Sequence, residues 1–265
     1  MEAERGEEPE YGPGEGMSAG NYDLLSWFYE RHWGSEFRFH AFAMDALESM
    51  LLRELTEGAS ILDLCCGAGH IVCALHERGF SVTGTDLSIE MLKFARSKAS
   101  QARFFAADAR DFSTARKFDA VVSTFDSINH ILDPADLMLV FRSVHEALVP
   151  GGVFVFDLLE EEAYKEAWAK SGFFVEHDNA CMLRGSYDAN CRRARVELTL
   201  FRLDGGWTRS DVTIFERYYP VDEVAAALAS CGFEGAEVFR ANMDFHMPVD
   251  AGIGRTFIKT RKVRK

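Results

Sequence analysis

The chain has 265 residues, 48% hydrophobic and 27% charged, which fits one globular domain carrying a moderate insertion. With 42 acidic against 29 basic side chains its net charge is −13, a field that repels a phosphate backbone and disfavours nucleic acid as a partner. No apolar run approaches the roughly 20 residues that cross a bilayer, and an acidic N-terminus is unlike a secretory signal, so a cytoplasmic protein off the membrane is expected.

Residues 1–20 are rich in Glu, Gly and Pro and poor in large aliphatics, so they are expected to form a disordered acidic tail, with Met17 a second candidate start. The folded domain is expected over 21–265. From Asn21 to about Leu55 apolar residues recur at helical spacing (Leu24, Phe28; Phe42, Ala46, Met50), which predicts two helices packed over the rest of the domain.

The period then changes. Strands are predicted over 61–66, 81–86, 102–108, 118–124 and 152–158, with helices over 69–78, 88–99 and 135–148; the last stops at Pro150-Gly151-Gly152. This alternation predicts an α/β fold, a mostly parallel sheet with helices on both faces. After a short helix over 160–169 come three runs without helices between them, spanning 173–219 and separated by the turn signals Asp188-Ala189-Asn190 and Asp204-Gly205-Gly206. They predict an inserted antiparallel meander. A helix over 221–231 and strands over 233–240 and 253–260 complete the chain, and the basic residues among the last twelve are read as a solvated strand end.

Six cysteines show neither a CxxC pair nor the paired spacing of a zinc site, so reduced thiols and no metal are expected. The informative segment is Ile61-Leu62-Asp63-Leu64-Cys65-Cys66-Gly67-Ala68-Gly69. Glycines where a first strand turns into a helix let a ligand approach the backbone, with the helix N-terminal N–H groups behind them. The next strand ends in Asp86, placed to accept from both hydroxyls of a ribose, and the third ends in Asp108-Ala109. Each Asp alone reads equally as a turn or cap residue. The set reads as a nucleoside site.

On these residues the chain resembles the class I S-adenosylmethionine-dependent methyltransferases, which implies a Rossmann-like fold, that cofactor and a small-molecule acceptor. The loop departs from a nicotinamide fingerprint, having an acid inside the strand and no third glycine at the expected position. By the resemblance, Asp63, Gly67 and Gly69 hold the methionine end, Asp86 the ribose, Asp108 with Ala109 the adenine amino group, and Leu87 and Met91 wall the adenine. Tyr22, in the N-terminal helix that covers the cofactor in relatives, either touches cofactor or substrate or only packs there, and Thr124 ends the fourth strand at the cofactor.

The loop Ser123-Thr124-Phe125-Asp126-Ser127-Ile128-Asn129-His130 would face the departing methyl. It lacks the Asn/Asp-Pro-Pro-Tyr/Phe pattern of base-amine methyltransferases and is similar to TDP-aminosugar N,N-dimethyltransferases and, more distantly, glycine N-methyltransferases. His130 is the candidate catalytic group, because imidazole titrates near neutrality; its other reading is a loop histidine bonded to backbone. Asp126 and Asn129 have two readings, substrate contact or turn closure. The meander's aromatics, among them Phe173, Tyr187 and Trp207, are read mostly as its own core. Arg184, Arg192, Arg193, Arg195, Arg202 and Arg209 are candidate partners for an anionic substrate handle. The meander as a whole suits either a substrate lid or a homodimer interface. The expected reaction is methyl transfer to an amine; the alternatives are a hydroxyl or carboxylate oxygen, or cofactor binding without catalysis.

Overall fold

The computed structural model describes residues 19–34, 39–248 and 252–264. A helix α1 (Ala19–Phe28), continued by a π-helical turn (Tyr29–Gly34), and a second helix α2 (Phe39–Met50) precede the sheet. The acidic tail expected over 1–20 falls mainly outside the described residues, and its last two positions, Ala19 and Gly20, already belong to α1.

The α/β part runs β1 (Ser60–Leu64), α3 (His70–Glu77), β2 (Ser81–Asp86), α4 (Ile89–Lys98), β3 (Arg103–Ala106), β4 (Phe118–Ser123), α5 (Pro134–Ala147) and β5 (Leu148–Leu159). These strands pair in parallel in the order β5-β4-β1-β2-β3. Because helices cover both faces, the central strands β1, β4 and β5 are mostly apolar, and successive residues serve opposite cores. Ile61, Val82, Val122 and Val155 pack under α2 and α3. Leu62, Val121, Phe154 and Phe156 pack against α5 and the later helix. Helix starts are chemically marked: the Asp133 carboxylate accepts from the Ala135 N–H at 2.8 Å ahead of Pro134, and Ser88 Oγ accepts from Met91 N at 3.1 Å.

A short helix α6 (Glu161–Ala163), extended by a π-helical turn to Trp168, leads into a separate antiparallel sheet of β6 (Ser171–Val175), β7 (Asn179–Asp188), β8 (Arg193–Leu203) and β9 (Trp207–Arg217). The insertion therefore has four strands, where the sequence pattern predicts three. The first run folds back at residues 176–179: Glu176 N donates to Asn179 O at 2.8 Å, and the Asn179 amide donates to the Glu176 and Asp178 carboxylates at 2.7 and 2.9 Å. No glycine or proline marks that turn. The insertion packs on α1, with Leu25 and Phe28 against Cys181, Leu198, Leu200 and Val212.

The chain then returns through α7 (Val221–Ser230), β10 (Phe233–Arg240), a short α8 (Ala241–Asp244) and β11 (Arg255–Lys262). β11 lies antiparallel between β5 and β10, completing a seven-stranded sheet. Among the described residues no helix is long and apolar enough to cross a membrane.

Candidate active site

A cavity of about 400 Å³ opens over the carboxyl ends of β1, β2, β4 and β5, between the sheet, α1 and the insertion. In doubly wound sheets this edge is where loops leave the strands and ligands bind. Among the described residues its lining brings together Tyr22, Asp63, Gly67, Asp86, Leu87 and Met91, with Thr124 and His130 from the loop after β4.

One half is built on the turn after β1. Gly67 takes φ +50°, a left-handed conformation that favours glycine, and a Cβ there would meet the Tyr29 ring at 3.9 Å. Gly67 N and Ser88 N donate to the two oxygens of Asp86 at 2.8 and 2.9 Å, so the carboxylate at the end of β2 locks the loop while still facing the cavity. Burial raises the Asp86 pKa, and the N–H groups around it oppose the rise. Asp63 is 2% exposed, and among the described residues its Oδ2 has no hydrogen-bond partner. Burial and then the neighbouring Asp86 push its carboxyl well above the usual range. A buried carboxyl without a partner is costly in isolation and is a seat for a cationic group.

Three residues proposed from the glycine and acid pattern lie outside this lining. Gly69 opens α3 at φ +81°, and a Cβ there would lie 2.7 Å from Cβ of Ala95, so this glycine lets α3 approach α4. Asp108 is held by Arg110, whose Nε and terminal nitrogen approach it at 3.0 and 2.6 Å, and Arg110 also reaches Asp136 at 2.7 Å. Ala109 is buried in the core beneath α5.

The other half centres on His130. Its Nδ1 stands 3.2 Å from the Phe215 carbonyl, and its Nε2 2.9 Å from Tyr22 Oη and 3.2 Å from Glu216 Oε1. A carbonyl only accepts, so Nδ1 carries the proton and Nε2 is the acceptor in the neutral ring. Burial lowers the His130 pKa, which keeps that ring neutral, although Asp126 opposes the shift. Asn129 is fully buried and tied to backbone on both sides: its amide donates to the Leu159 and Arg217 carbonyls at 3.3 and 2.9 Å and its oxygen accepts from Leu159 N at 2.9 Å. It staples the loop to β5 and β9.

Beneath the loop lies a buried ionic group that pattern reading does not assemble. Arg255, first residue of β11, donates to Asp126 Oδ1 at 2.8 Å and to Asp157 Oδ2, and its guanidinium stacks 4.4 Å from the Phe39 ring centre. Burial raises Asp157 to about 6 against the pull of Arg255. Phe125 and Asp126 both hold positive φ, at 67° and 53°, and β-carbon-bearing residues stay there only where surrounding contacts impose it. The insertion contributes Leu183, Val196, Leu198, Ile214 and Glu216 to the cavity. Its candidate aromatics and arginines do not line it, and Phe173 and Trp207 are 77% and 57% exposed.

A doubly wound sheet with an antiparallel last strand, a glycine turn after its first strand and a carboxylate ending its second define a Rossmann-like nucleoside-cofactor enzyme. A family model described as methyltransferase domain matches residues 61–152. YqeM of Bacillus subtilis (strain 168), a protein named as a methyltransferase, is 34% identical over 215 residues, covering 78% of this chain and 86% of that one. The dTDP-3-amino-3,4,6-trideoxy-alpha-D-glucopyranose N,N-dimethyltransferase of Streptomyces venezuelae is 33% identical over 187 residues, 68% of this chain and 78% of that one. Among solved structures, an S-adenosylmethionine-dependent methyltransferase from Clostridium acetobutylicum ATCC 824 superposes with a TM-score of 0.75 at 21% identity, covering 91% of this chain and 99% of that chain. The chain belongs to the class I S-adenosylmethionine-dependent methyltransferases, and S-adenosylmethionine is its cofactor.

Proposed function

We propose that this enzyme methylates an amine nitrogen of a small molecule. When bound, the cofactor supplies a methyl group made electrophilic by its sulfonium. Asp63, with its unpaired Oδ2, is suited to the cofactor's ammonium, Asp86 to the ribose hydroxyls, and Leu87 and Met91 to the adenine faces.

The observation that carries the amine reading is the neutral His130 ring, buried against Tyr22 with Nε2 as acceptor at the loop after β4. A hydroxyl acceptor must lose its proton as it attacks, which asks for a strong, available base. A neutral amine attacks through its own lone pair, and His130 needs only to orient an N–H and receive a proton. Enclosure by α1 and the insertion strips water from the nitrogen and holds it in line, from which most of the acceleration is expected. The likeness to an aminosugar N,N-dimethyltransferase supports the same acceptor group.

The test is formation of S-adenosylhomocysteine over a panel of amines, phenols, alcohols and carboxylates, with the methylated atom located by mass spectrometry and NMR. Transfer to nitrogen supports the reading. Transfer to oxygen alone overturns it.

A further inference from the structure

Strand β9 puts every second residue on the face that meets the cavity, so Val212, Ile214 and Glu216 share one side. Two are aliphatic and the third is a carboxylate. Glu216 is fully buried, opposite the fully buried Ala194, and nothing in the strand's apolar register calls for an acid there. Its Oε2 accepts from Tyr164 Oη at 2.8 Å, whereas among the described residues Oε1 has no hydrogen-bond partner of adequate geometry, lying 3.2 Å from His130 Nε2. One buried carboxylate oxygen is thus committed to holding the side chain, and the other faces the cavity beside the imidazole.

The surrounding charges say what that oxygen can take. Among the described residues the cavity lining has one guanidinium, Arg255, and no lysine, and Arg255 is already engaged by Asp126 and Asp157. The insertion's arginines stand outside the lining: Arg184 and Arg195 pair with Glu197, Arg202 with Asp204, Arg209 with Asp211 and Arg192 with Glu223, while Arg193 and Arg217 border a separate polar pocket with Arg192. Beneath the insertion the lining is apolar, with Leu25, Trp33, Trp168, Leu183, Leu198 and Ile253, while Ser127 and Thr124 border it from the loop after β4.

Resting on the amine reading above, we propose that Glu216 Oε1 anchors the acceptor's ammonium, and that the acceptor is an arylalkyl or alkyl amine whose apolar body lies under the insertion, without a diphosphate handle. Burial and then Asp126 raise the Glu216 carboxyl well above the usual carboxylate range, so the protonated form is favoured before the acceptor binds and a cation beside it favours the charged one. The bound ammonium displaces that proton to solvent and then passes one of its own to His130 Nε2, which gives up the Tyr22 hydrogen bond as it takes the proton. The freed nitrogen lone pair forms the N–CH3 bond as the S–CH3 bond breaks, and the S–C electron pair stays on sulfur. The product ammonium remains paired with Glu216, and His130 returns its proton to solvent. Tyr22, Asp126, His130, Tyr164 and Arg255 are the titratable or charged groups arranged around this carboxyl.

The experiment uses the full chain with S-adenosylmethionine and three acceptors, 2-phenylethylamine, 2-phenylethanol and a TDP-aminosugar, and compares wild type with Glu216→Gln, which keeps the volume and the Tyr164 bond. The expected result is turnover of 2-phenylethylamine unaffected by EDTA. Glu216→Gln should raise its KM at least tenfold while leaving cofactor affinity, read by calorimetry, unchanged. Turnover of the TDP-aminosugar alone, failure to turn over 2-phenylethylamine, or an unchanged KM in Glu216→Gln overturns the proposal while leaving N-methylation standing. Turnover of 2-phenylethanol alone overturns the amine reading itself. A requirement for a divalent cation would make Asp126, His130 and Glu216, whose ligand atoms lie within 4.8 Å of one another, a metal site and also overturn it.

Discussion

Tyr22 meets His130 edge to face, ring centres 5.5 Å apart and planes at 89°, with the phenol oxygen 2.9 Å from Nε2. The two residues are 108 apart in sequence and come from the covering helix and the loop after β4. Burial pushes the Tyr22 phenol well above its ordinary pKa, and Glu216 and Asp126 add to this, so it donates to the imidazole. Removing the ring by His130→Ala should lower kcat by about ten- to ten-thousand-fold, the range for acid-base or orienting groups, with cofactor affinity preserved. His130→Asn should recover part of the loss if hydrogen bonding outweighs proton transfer. Steady-state kinetics beside calorimetry separates the two effects.

At Asp63 binding and stability should move in opposite directions. Asp63→Asn removes the carboxylate proposed for the cofactor's ammonium, and its binding should weaken by roughly 1–3 kcal/mol, the scale of a charged hydrogen bond. The free protein should gain or hold stability, since an unpaired buried carboxyl is replaced by a neutral amide. Calorimetric titration and urea unfolding without cofactor check both signs.

Gly69 makes a prediction about packing alone. A Cβ at this position lies 2.7 Å from Cβ and 2.8 Å from Cα of Ala95, and φ is +81°. Gly69→Ala should cost about 1–3 kcal/mol as an overpacked contact. The measurement is the shift in denaturation midpoint beyond that of Gly205→Ala, which shares a positive φ (+66°) but among the described residues meets nothing within 4 Å, so the difference isolates the packing contact.

The stacked pair His40 and His70, ring centres 4.4 Å apart and planes at 4°, sets a pH dependence. Burial, then His70 and Lys98, lower His40 from 6.5 to about 3, and burial with Lys98 lowers His70 to about 4. Below pH 6.5 the unfolded chain takes up these protons and the native chain does not, so stability falls as the pH drops from 6.5 toward 3. For His40 alone the loss at pH 5 is about 2 kcal/mol. His40→Phe should flatten this slope between pH 6.5 and 5, read from urea midpoints at each pH.

The sheet is legible in the sequence because strands covered on both faces are rich in apolar residues, and the runs 61–66, 118–124 and 152–158 have that character, while 81–86 is marked by its Val and Thr residues. The turn at Glu176–Asn179 is not, because side-chain bonds close it in place of Gly or Pro. Gly67 and Gly69 look alike in sequence, yet one borders the cavity and the other lets two helices touch. Strand-terminal acids are equally ambiguous, with Asp86 lining the cavity and Asp108 engaged by Arg110. Glu216 and Arg255 escape pattern reading because each enters the site from an element far along the chain. The one local signal is an acid in the apolar register of β9.

Arg255 also has a bearing on how the molecule is assembled in time. Its two carboxylate partners precede it by 129 and 98 residues, so ribosomal synthesis delivers Asp126 and Asp157 well before the cation that neutralises them. Until β11 slots between β5 and β10, those acids have no guanidinium beside them, and the loop carrying His130 is held through Asn129 without its ionic anchor. Closing contacts of such long sequence separation is slow. A chain that ends before β11 would keep the glycine turn after β1 and lose the cation that binds Asp126 to Asp157 beneath the His130 loop.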